Sequence, residues 1–281
     1  MHVFLNGKIL PEAEAVVPVN DRGFLLGDGL FETVRVVNGQ PFRFIQHLER
    51  LVGGADFLKI QLPFAPKVIQ KFAAQLIAQN NLSDAILRVT LTRGVGARGY
   101  SPKNSGVSTL VMTLNPLPIV NSGEPVKWSL VTSSFRVLAD DALPGFKTTS
   151  KILNVLARAE AEAQGADEAL LLNTNGEVAE TAGGNIFWVY QDAVCTAPTG
   201  RGVLPGITRA VVLEICHSLG LAANQSIIHL EQLRKSPGIL VTNSALGIVP
   251  VASLDGQPVA PSPLVQRIAG AYHEILRRET R

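Results

Sequence analysis

The stretch GFKTTSKILNVLARAEAEAQGADEALLLNTNGEVAETAGGNIF, residues 145–187, decides how the rest of the chain is read. It opens on Lys147 in a loop, passes through helical spacing over 150–164, and closes on Glu180 ahead of a strand over 185–189. Lys147 precedes Thr148-Thr149-Ser150, any of which can cap the helix that follows, so the lysine is expected at the positive end of a helix dipole. That setting disfavours the charged amine and favours a nucleophile or base. Glu180 is followed by Thr181-Ala182-Gly183-Gly184, and a run without bulky side chains lets a flat ring approach the backbone. A lysine can attack a carbonyl, and a carboxylate can keep a ring nitrogen protonated. Spacing alone favours a solvated surface lysine and an exposed hairpin glutamate. Lys151 is the rival amine, expected inside the helix and pointing to solvent.

Upstream, residues 1–45 read as short strands joined by tight turns at Asn6-Gly7 and Asn38-Gly39, with strict alternation from Phe31 to Val37. Helical spacing follows over 47–60 and 66–79, then strands over 85–92 and 107–114, making an α+β domain of residues 1–117. Residues 115–125 hold three prolines and one glycine, so neither helix nor strand is expected to cross them; 118–125 is taken as the linker. The second domain, 126–281, reads as a strand over 127–132, the helix at 150–164, strands at 168–172 and 185–189, a helix over 207–219, strands near 227 and 239, and a last helix over 263–278.

Composition narrows the function classes. At 281 residues with 46% hydrophobic and 17% charged residues, the chain can bury a core in one large or two modest domains. A net charge of +2, with its cations scattered, argues against nucleic acid and leaves small anions possible. No apolar run reaches the ~18–20 residues that span a bilayer, and residues 1–10 carry no signal pattern, so a soluble cytoplasmic protein is expected. Cys195 and Cys216 have no metal or redox spacing and are expected as buried thiols. No metal site, nucleophile elbow or Walker loop is present, and Gly27-Asp28-Gly29 is too short for a dinucleotide fingerprint.

Several polar groups fit a phosphate and a carboxylate. Leu204-Pro-Gly-Ile207-Thr208-Arg209 is a turn feeding a helix N-terminus, whose free N–H groups suit a phosphate, and Thr242-Asn243-Ser244 can form a second cradle or a plain polar turn. Arg50 lies on a helix with His47 and Arg43 near it. Arg93-Gly-Val-Gly-Ala-Arg98-Gly-Tyr100-Ser101 places two arginines among three glycines, which suits planar recognition of a carboxylate and equally suits a hairpin connection.

Taken in order, these blocks resemble fold-type IV pyridoxal phosphate (PLP) enzymes, which include branched-chain and D-amino-acid transaminases and aminodeoxychorismate lyase. The resemblance runs through Asp21-Arg-Gly-Phe-Leu-Leu-Gly-Asp-Gly-Leu-Phe-Glu-Thr-Val-Arg35, His47-Leu-Glu-Arg50-Leu, Glu180-x-Ala-x-x-Asn185-Ile-Phe and Leu204-x-Gly206-Ile-x-Arg209, nearly the whole chain. It implies a two-domain α+β fold, a small domain and a larger one with a barrel-like sheet, PLP in the cleft between them, and a homodimer. It further implies that Lys147 is the Schiff-base lysine and proton carrier, that Glu180 binds the pyridine nitrogen, and that Arg50, Ile207, Thr208, Asn243 and Ser244 hold the phosphate. Phe31, Arg98 and Tyr100 are the implied substrate residues, with Arg93 as a further candidate.

Arg-Gly-x-Gly-x-Arg98-Gly-Tyr100-Ser, Gly145-Phe-Lys147 and Thr242-Asn243-Ser244-Ala-Leu look most like aminodeoxychorismate lyase, which releases pyruvate and p-aminobenzoate for folate synthesis. D-amino-acid transaminases carry a histidine where this chain has Tyr100 and a pocket tyrosine where it has Phe31, whereas Phe31-Glu32-Thr33 suits a transaminase equally well. The expectation is therefore the lyase, with a D-amino-acid or branched-chain aminotransferase as the alternative and a non-catalytic binding protein as the remote one.

Overall fold

The alternation that follows Gly29 builds the first half of the fold. In the computed structural model, which describes residues 1–117 and 126–281, β1 (His2–Leu5), β2 (Lys8–Pro11), β3 (Gly29–Val37), β4 (Gln40–Pro41), β5 (Ala85–Thr92) and β6 (Thr109–Pro116) form one antiparallel sheet in the order β2-β1-β6-β5-β3-β4. Leu30, Val34 and Val36 on β3, with Leu87, Val89 and Leu91 on β5, turn inward against the amphipathic helices α2 (Phe44–Leu58) and α3 (Pro66–Asn80). Asn38 and Gly39 both adopt positive φ, 50° and 72°, which a tight turn between β3 and β4 requires. A short helix, α1 (Arg22–Leu26), starts at Asp21, whose side chain accepts from the Gly23 backbone N–H.

The second half is a curled mixed sheet in the order β12-β11-β10-β13-β14-β7-β8-β9. Its strands are β7 (Trp128–Val137), β8 (Glu168–Asn173), β9 (Val178–Thr181), β10 (Asn185–Tyr190), β11 (Ala193–Thr196), β12 (Ala223–Gln225), β13 (Ile239–Asn243) and β14 (Gly247–Leu254), with β15 (Gln257–Pro258) pairing on β14. The helices are α4 (Ile152–Ala163), α5 (Ile207–Ser218), α6 (Leu230–Leu233) and α7 (Pro263–Glu279). One sheet face packs Leu170, Leu172, Ile186, Trp188 and Val241; the other packs Ala169, Leu171 and Val203 with Ala157 and Ala161 of α4. Cys195 and Cys216 are both buried, and burial pushes the Cys216 thiol up to about 11. Among the described residues no helix is long and apolar enough to cross a membrane.

The described residues fall into two units that depart from the sequence boundaries in two places. The first takes in residues up to 117 together with Phe146–Ser150 and Arg277–Arg281; the second takes in residues 126 to Gly145 and Lys151–Leu276. Residues 146–150 join the first unit because β4 covers β3 only at Val36 and Val37, leaving the Gly29–Phe31 edge to accept another strand. The expected linker at 118–125 lies outside the described residues. Asn115 and Pro116, expected clear of any strand, end β6, where they pair with Ile86 and Ala85.

Candidate active site

Lys147 is fixed by strand pairing. Its carbonyl accepts from Phe31 N at 2.9 Å, Thr149 N donates to Gly29 O at 2.9 Å, and Thr148 bridges Leu30. Thr149 Oγ1 donates to Gly27 O at 2.8 Å, and Phe146 stacks on Phe57 with ring centres 4.1 Å apart. This corrects the expectation of a lysine at the mouth of a helix. α4 begins at Ile152 with Lys151 as its N-cap and no side-chain cap, so Thr148, Thr149 and Ser150 do not start it. Lys151 accordingly stands at the helix boundary, not inside it. Lys147 Nζ lies 4.7 Å from the centre of the Phe31 ring, within cation–π range.

The same ring carries a second cation that the sequence reading passed over. The guanidinium carbon of Arg88 lies 3.9 Å from the Phe31 ring centre, and the Arg88 side chain makes no hydrogen bond or ion pair among the described residues. Burial alone pulls its pKa down. Arg88 pairs with Thr33 on the sheet face that holds Phe31, so the available signal was a lone arginine on the outward face of an alternating strand.

Arg50 does not stand alone on its helix. Glu32 is the one charged residue on the inward face of β3, and only 1% of it is exposed. It accepts from Arg50 Nε at 2.8 Å and Nη2 at 2.6 Å, and from His47 Nδ1 at 2.7 Å. Burial raises the Glu32 pKa, but hydrogen bonds and charge from Arg50 and His47 outweigh it and hold the carboxyl down at about 2. Burial depresses the His47 pKa, helped by the charges of Arg50 and Lys147 and opposed by Glu32, to which its Nδ1–H donates.

Arg98 and Tyr100 are exposed on the loop between β5 and β6. Arg93 is not available beside them: it donates to both oxygens of Asp28, at 2.7 and 3.0 Å, and to the carbonyls of Leu58 and Lys59. The Gly-Asp-Gly turn is thus an ion-pair site, because Asp28 also binds Arg22 Nε at 2.8 Å.

The other group lies in the second unit and is centred on Glu180. Leu171 pairs with Glu180 but Leu172 with Val178, so Ala179 is an extra residue, a β-bulge. Without it Glu180 would share the face of Val178, which packs with Leu172, Ile186 and Trp188. The bulge turns it to the face of Leu171 and Val203. There Glu180 Oε2 accepts from Leu204 N at 3.0 Å and Asn185 Nδ2 at 3.2 Å, while Asn185 Nδ2 also reaches Leu204 O at 2.9 Å. Buried Arg209 feels the Glu180 charge and donates to Ala197 O and Gln225 Oε1.

Gly206 leads into α5 with no side-chain cap; a Cβ there would stand 2.0 Å from Asn185 Oδ1. Ile207 and Thr208 form the first turn of α5. Thr242 sits opposite Asn185 in the β10–β13 ladder, and its buried Oγ1 has no hydrogen-bond partner among the described residues. Asn243 Oδ1 accepts from Leu246 N and so shapes the turn that contains Ser244. The small residues after Glu180 have a packing explanation that the flat-ring reading missed: a Cβ on Gly184 would stand 2.2 Å from Thr242 O, and one on Gly183 would stand 3.0 Å from Glu168 Oε2.

The structure thus gathers Phe31, Arg50 and Lys147 in one unit and Glu180, Ile207, Thr208, Asn243 and Ser244 in the other. It adds Glu32, His47, Arg88, Asn185 and Thr242 to them.

Comparison with known proteins agrees in kind. A protein of Methanocaldococcus jannaschii provisionally named a branched-chain-amino-acid aminotransferase is 35% identical over 260 residues, 92% of this chain and 90% of that protein. D-alanine aminotransferase of Bacillus licheniformis is 28% identical over 285 residues, 100% of this chain and 99% of that protein. Among solved structures, the branched-chain aminotransferase of Thermoproteus uzoniensis with norvaline superimposes with a TM-score of 0.93 at 27% identity, covering 99% of this chain and 95% of that one. A provisionally named 4-amino-4-deoxychorismate lyase of Legionella pneumophila gives 0.86 at 28%, covering 94% and 97%. The profile of the family described as Amino-transferase class IV matches residues 29–254. With that match across most of its length, this chain belongs to the class IV aminotransferases, PLP-dependent enzymes.

Proposed function

We propose that the protein is an aminotransferase that moves an amino group between an α-amino acid and an α-keto acid, with branched-chain amino acids as the first candidate donors and D-alanine as the second. The observation that carries this reading is the Phe31 ring, which holds the Lys147 amine and the Arg88 guanidinium together. A half-buried arginine with no protein anion beside it suits a substrate carboxylate. The relatives described above support the same choice.

The residues present fit the cofactor. Thr242 Oγ1 is a buried hydroxyl in need of a partner, on the face that holds Asn185, whose amide oxygen lies against the uncapped start of α5. An acceptor-rich phosphate meets both needs. When bound, PLP supplies an aldehyde for amine exchange and a protonated ring that takes up the electron pair of a broken Cα–H bond. Lys147 would hold the cofactor through its amine and would carry the proton at the substrate Cα. Glu180 keeps the proton on the ring nitrogen, its Oε2 fixed by Leu204 and Asn185. Arg50, Ile207, Thr208, Asn243 and Ser244 hold the phosphate, and Phe31, Arg88, Arg98 and Tyr100 bind and orient the substrate. A cytoplasmic homodimer belongs to the same proposal; exposed Val16, Val19, Phe24 and Leu25 offer apolar surface for a second copy.

A second reading, the lyase, keeps one specific observation in its favour: the Arg93–Ser101 loop, which looks most like that enzyme. The test is to incubate the holoenzyme separately with L-leucine and D-alanine, each with 2-oxoglutarate, and with aminodeoxychorismate. Glutamate and the matching keto acid from either amino acid support the proposal. Pyruvate and p-aminobenzoate from aminodeoxychorismate, with neither amino acid reacting, overturn it in favour of the lyase.

A further inference from the structure

The segment Asp21–Arg35 matches the family yet supplies only Phe31 and Glu32 to the site described above, and the fold gives Arg22 a specific task. Arg22 is a charged side chain with 4% exposure. Its Nη1 donates to Gly99 O at 3.0 Å and Ser101 O at 3.1 Å, and its Nη2 to Tyr100 O at 3.1 Å. Three consecutive carbonyls, those of Gly99, Tyr100 and Ser101, therefore rest on one guanidinium. The glycines of this loop are fitted to it: a Cβ on Gly96 would stand 2.6 Å from Arg22 Cδ, and Gly99 adopts φ +102°. Gly94 O accepts from Arg22 N at 2.9 Å.

The far side of the same turn holds the lysine. Arg22 Nε binds Asp28, Asp28 is clamped by Arg93, and the flanking carbonyls of Gly27 and Gly29 accept from Thr149. Residues 22–29 thus connect the loop to the Lys147 segment through ion pairs and hydrogen bonds. The Asp28 carboxylate, whose pKa burial raises and the two guanidiniums lower further, stays ionised and holds both arginines in place.

We infer that Arg22 is a positioning residue: it fixes the backbone of the loop that carries Arg98 and Tyr100 and so sets the affinity for the substrate carboxylate. The inference rests on the reading of Arg98 and Tyr100 as carboxylate-binding residues. A lysine at this position keeps the charge but lacks the planar fork that reaches three carbonyls and Asp28 together.

The experiment compares holoenzyme of wild type, Arg22→Lys, Gly96→Ala and Arg98→Ala. It reads KM for 2-oxoglutarate, kcat, the PLP dissociation constant, and amide exchange over residues 97–103. For Arg22→Lys, exchange over 97–103 becomes at least about 10-fold faster. KM rises about 10-fold, while kcat and the PLP dissociation constant stay within about 2-fold. Unchanged exchange and KM overturn the inference, as does a loss of kcat and cofactor affinity in step with KM, which marks a general structural role. If Arg22→Lys does not fold, Gly96→Ala decides, because its Cβ displaces the same stem with every charge kept; the same split supports the inference and unchanged values overturn it. An unchanged KM in Arg98→Ala overturns the underlying reading of the loop, and is told apart from failure of the clamp because exchange in Arg22→Lys still speeds up.

Discussion

Replacing Glu32 by glutamine removes the charge that Arg50 and His47 share without changing the shape of the side chain. Its folded pKa is about 2 against an ordinary 4.5, and at about 1.4 kcal/mol per pH unit the ionised carboxylate contributes about 3 kcal/mol to stability. Because the folded value is the lower one, that contribution is complete above pH 4.5 and is lost as pH falls toward 2. The wild type should therefore exceed Glu32→Gln by about 3 kcal/mol at pH 7 and by only about 1 kcal/mol at pH 3. Urea unfolding of the cofactor-free proteins, followed by far-UV circular dichroism, measures this. Tryptophan fluorescence would mislead, since Trp128 and Trp188 are the two tryptophans and both lie in the second unit, while Glu32 lies in the first. A difference that stays constant between pH 7 and pH 3, or is absent at pH 7, refutes the ionised Glu32 carboxylate. An additional loss of PLP affinity in the variant is expected, because Arg50 would no longer be held by two bonds.

Three further outcomes follow from the same geometry. In Lys147→Ala the visible cofactor band that borohydride traps on the protein disappears, whereas Lys151→Ala retains it; the reverse pattern, read by absorbance and peptide mass, would reassign the lysine. Gly206→Ala places a Cβ 2.0 Å from Asn185 Oδ1 and should cost about 1–3 kcal/mol of overpacking, read as a lowered urea midpoint; an unchanged midpoint contradicts the close approach. Arg88→Met should raise KM for 2-oxoglutarate about 10-fold or more with kcat nearly kept, and an unchanged KM removes Arg88 from the substrate site.

The two hairpin turns, the alternation of β3 and the helical stripes of α2 and α3 were legible because each is a local matter of φ, period and side-chain polarity. The order of the site blocks was legible too, since Lys147, Glu180 and the Gly206-Ile207-Thr208 turn follow one another along the chain in the order the family resemblance carries. What the sequence could not carry is where a residue's partners come from. Lys147 belongs to the first unit because a two-residue β4 leaves an open edge on β3, and no local pattern near residue 147 reports the length of a strand a hundred residues earlier. Glu180 faces Leu204 and Asn185 because Ala179 bulges, a choice made by the register against β8. Glu32 reads as an ordinary strand carboxylate until α2 brings Arg50 and His47 to it. Arg88 reads as a solvated cation until β3 places Phe31 beneath it. The chain by itself fixed which groups are present and which short elements carry them. Their pKa values, facing and pairing waited on contacts between distant segments, because burial and charge proximity are properties of the packed structure and not of neighbours along the chain.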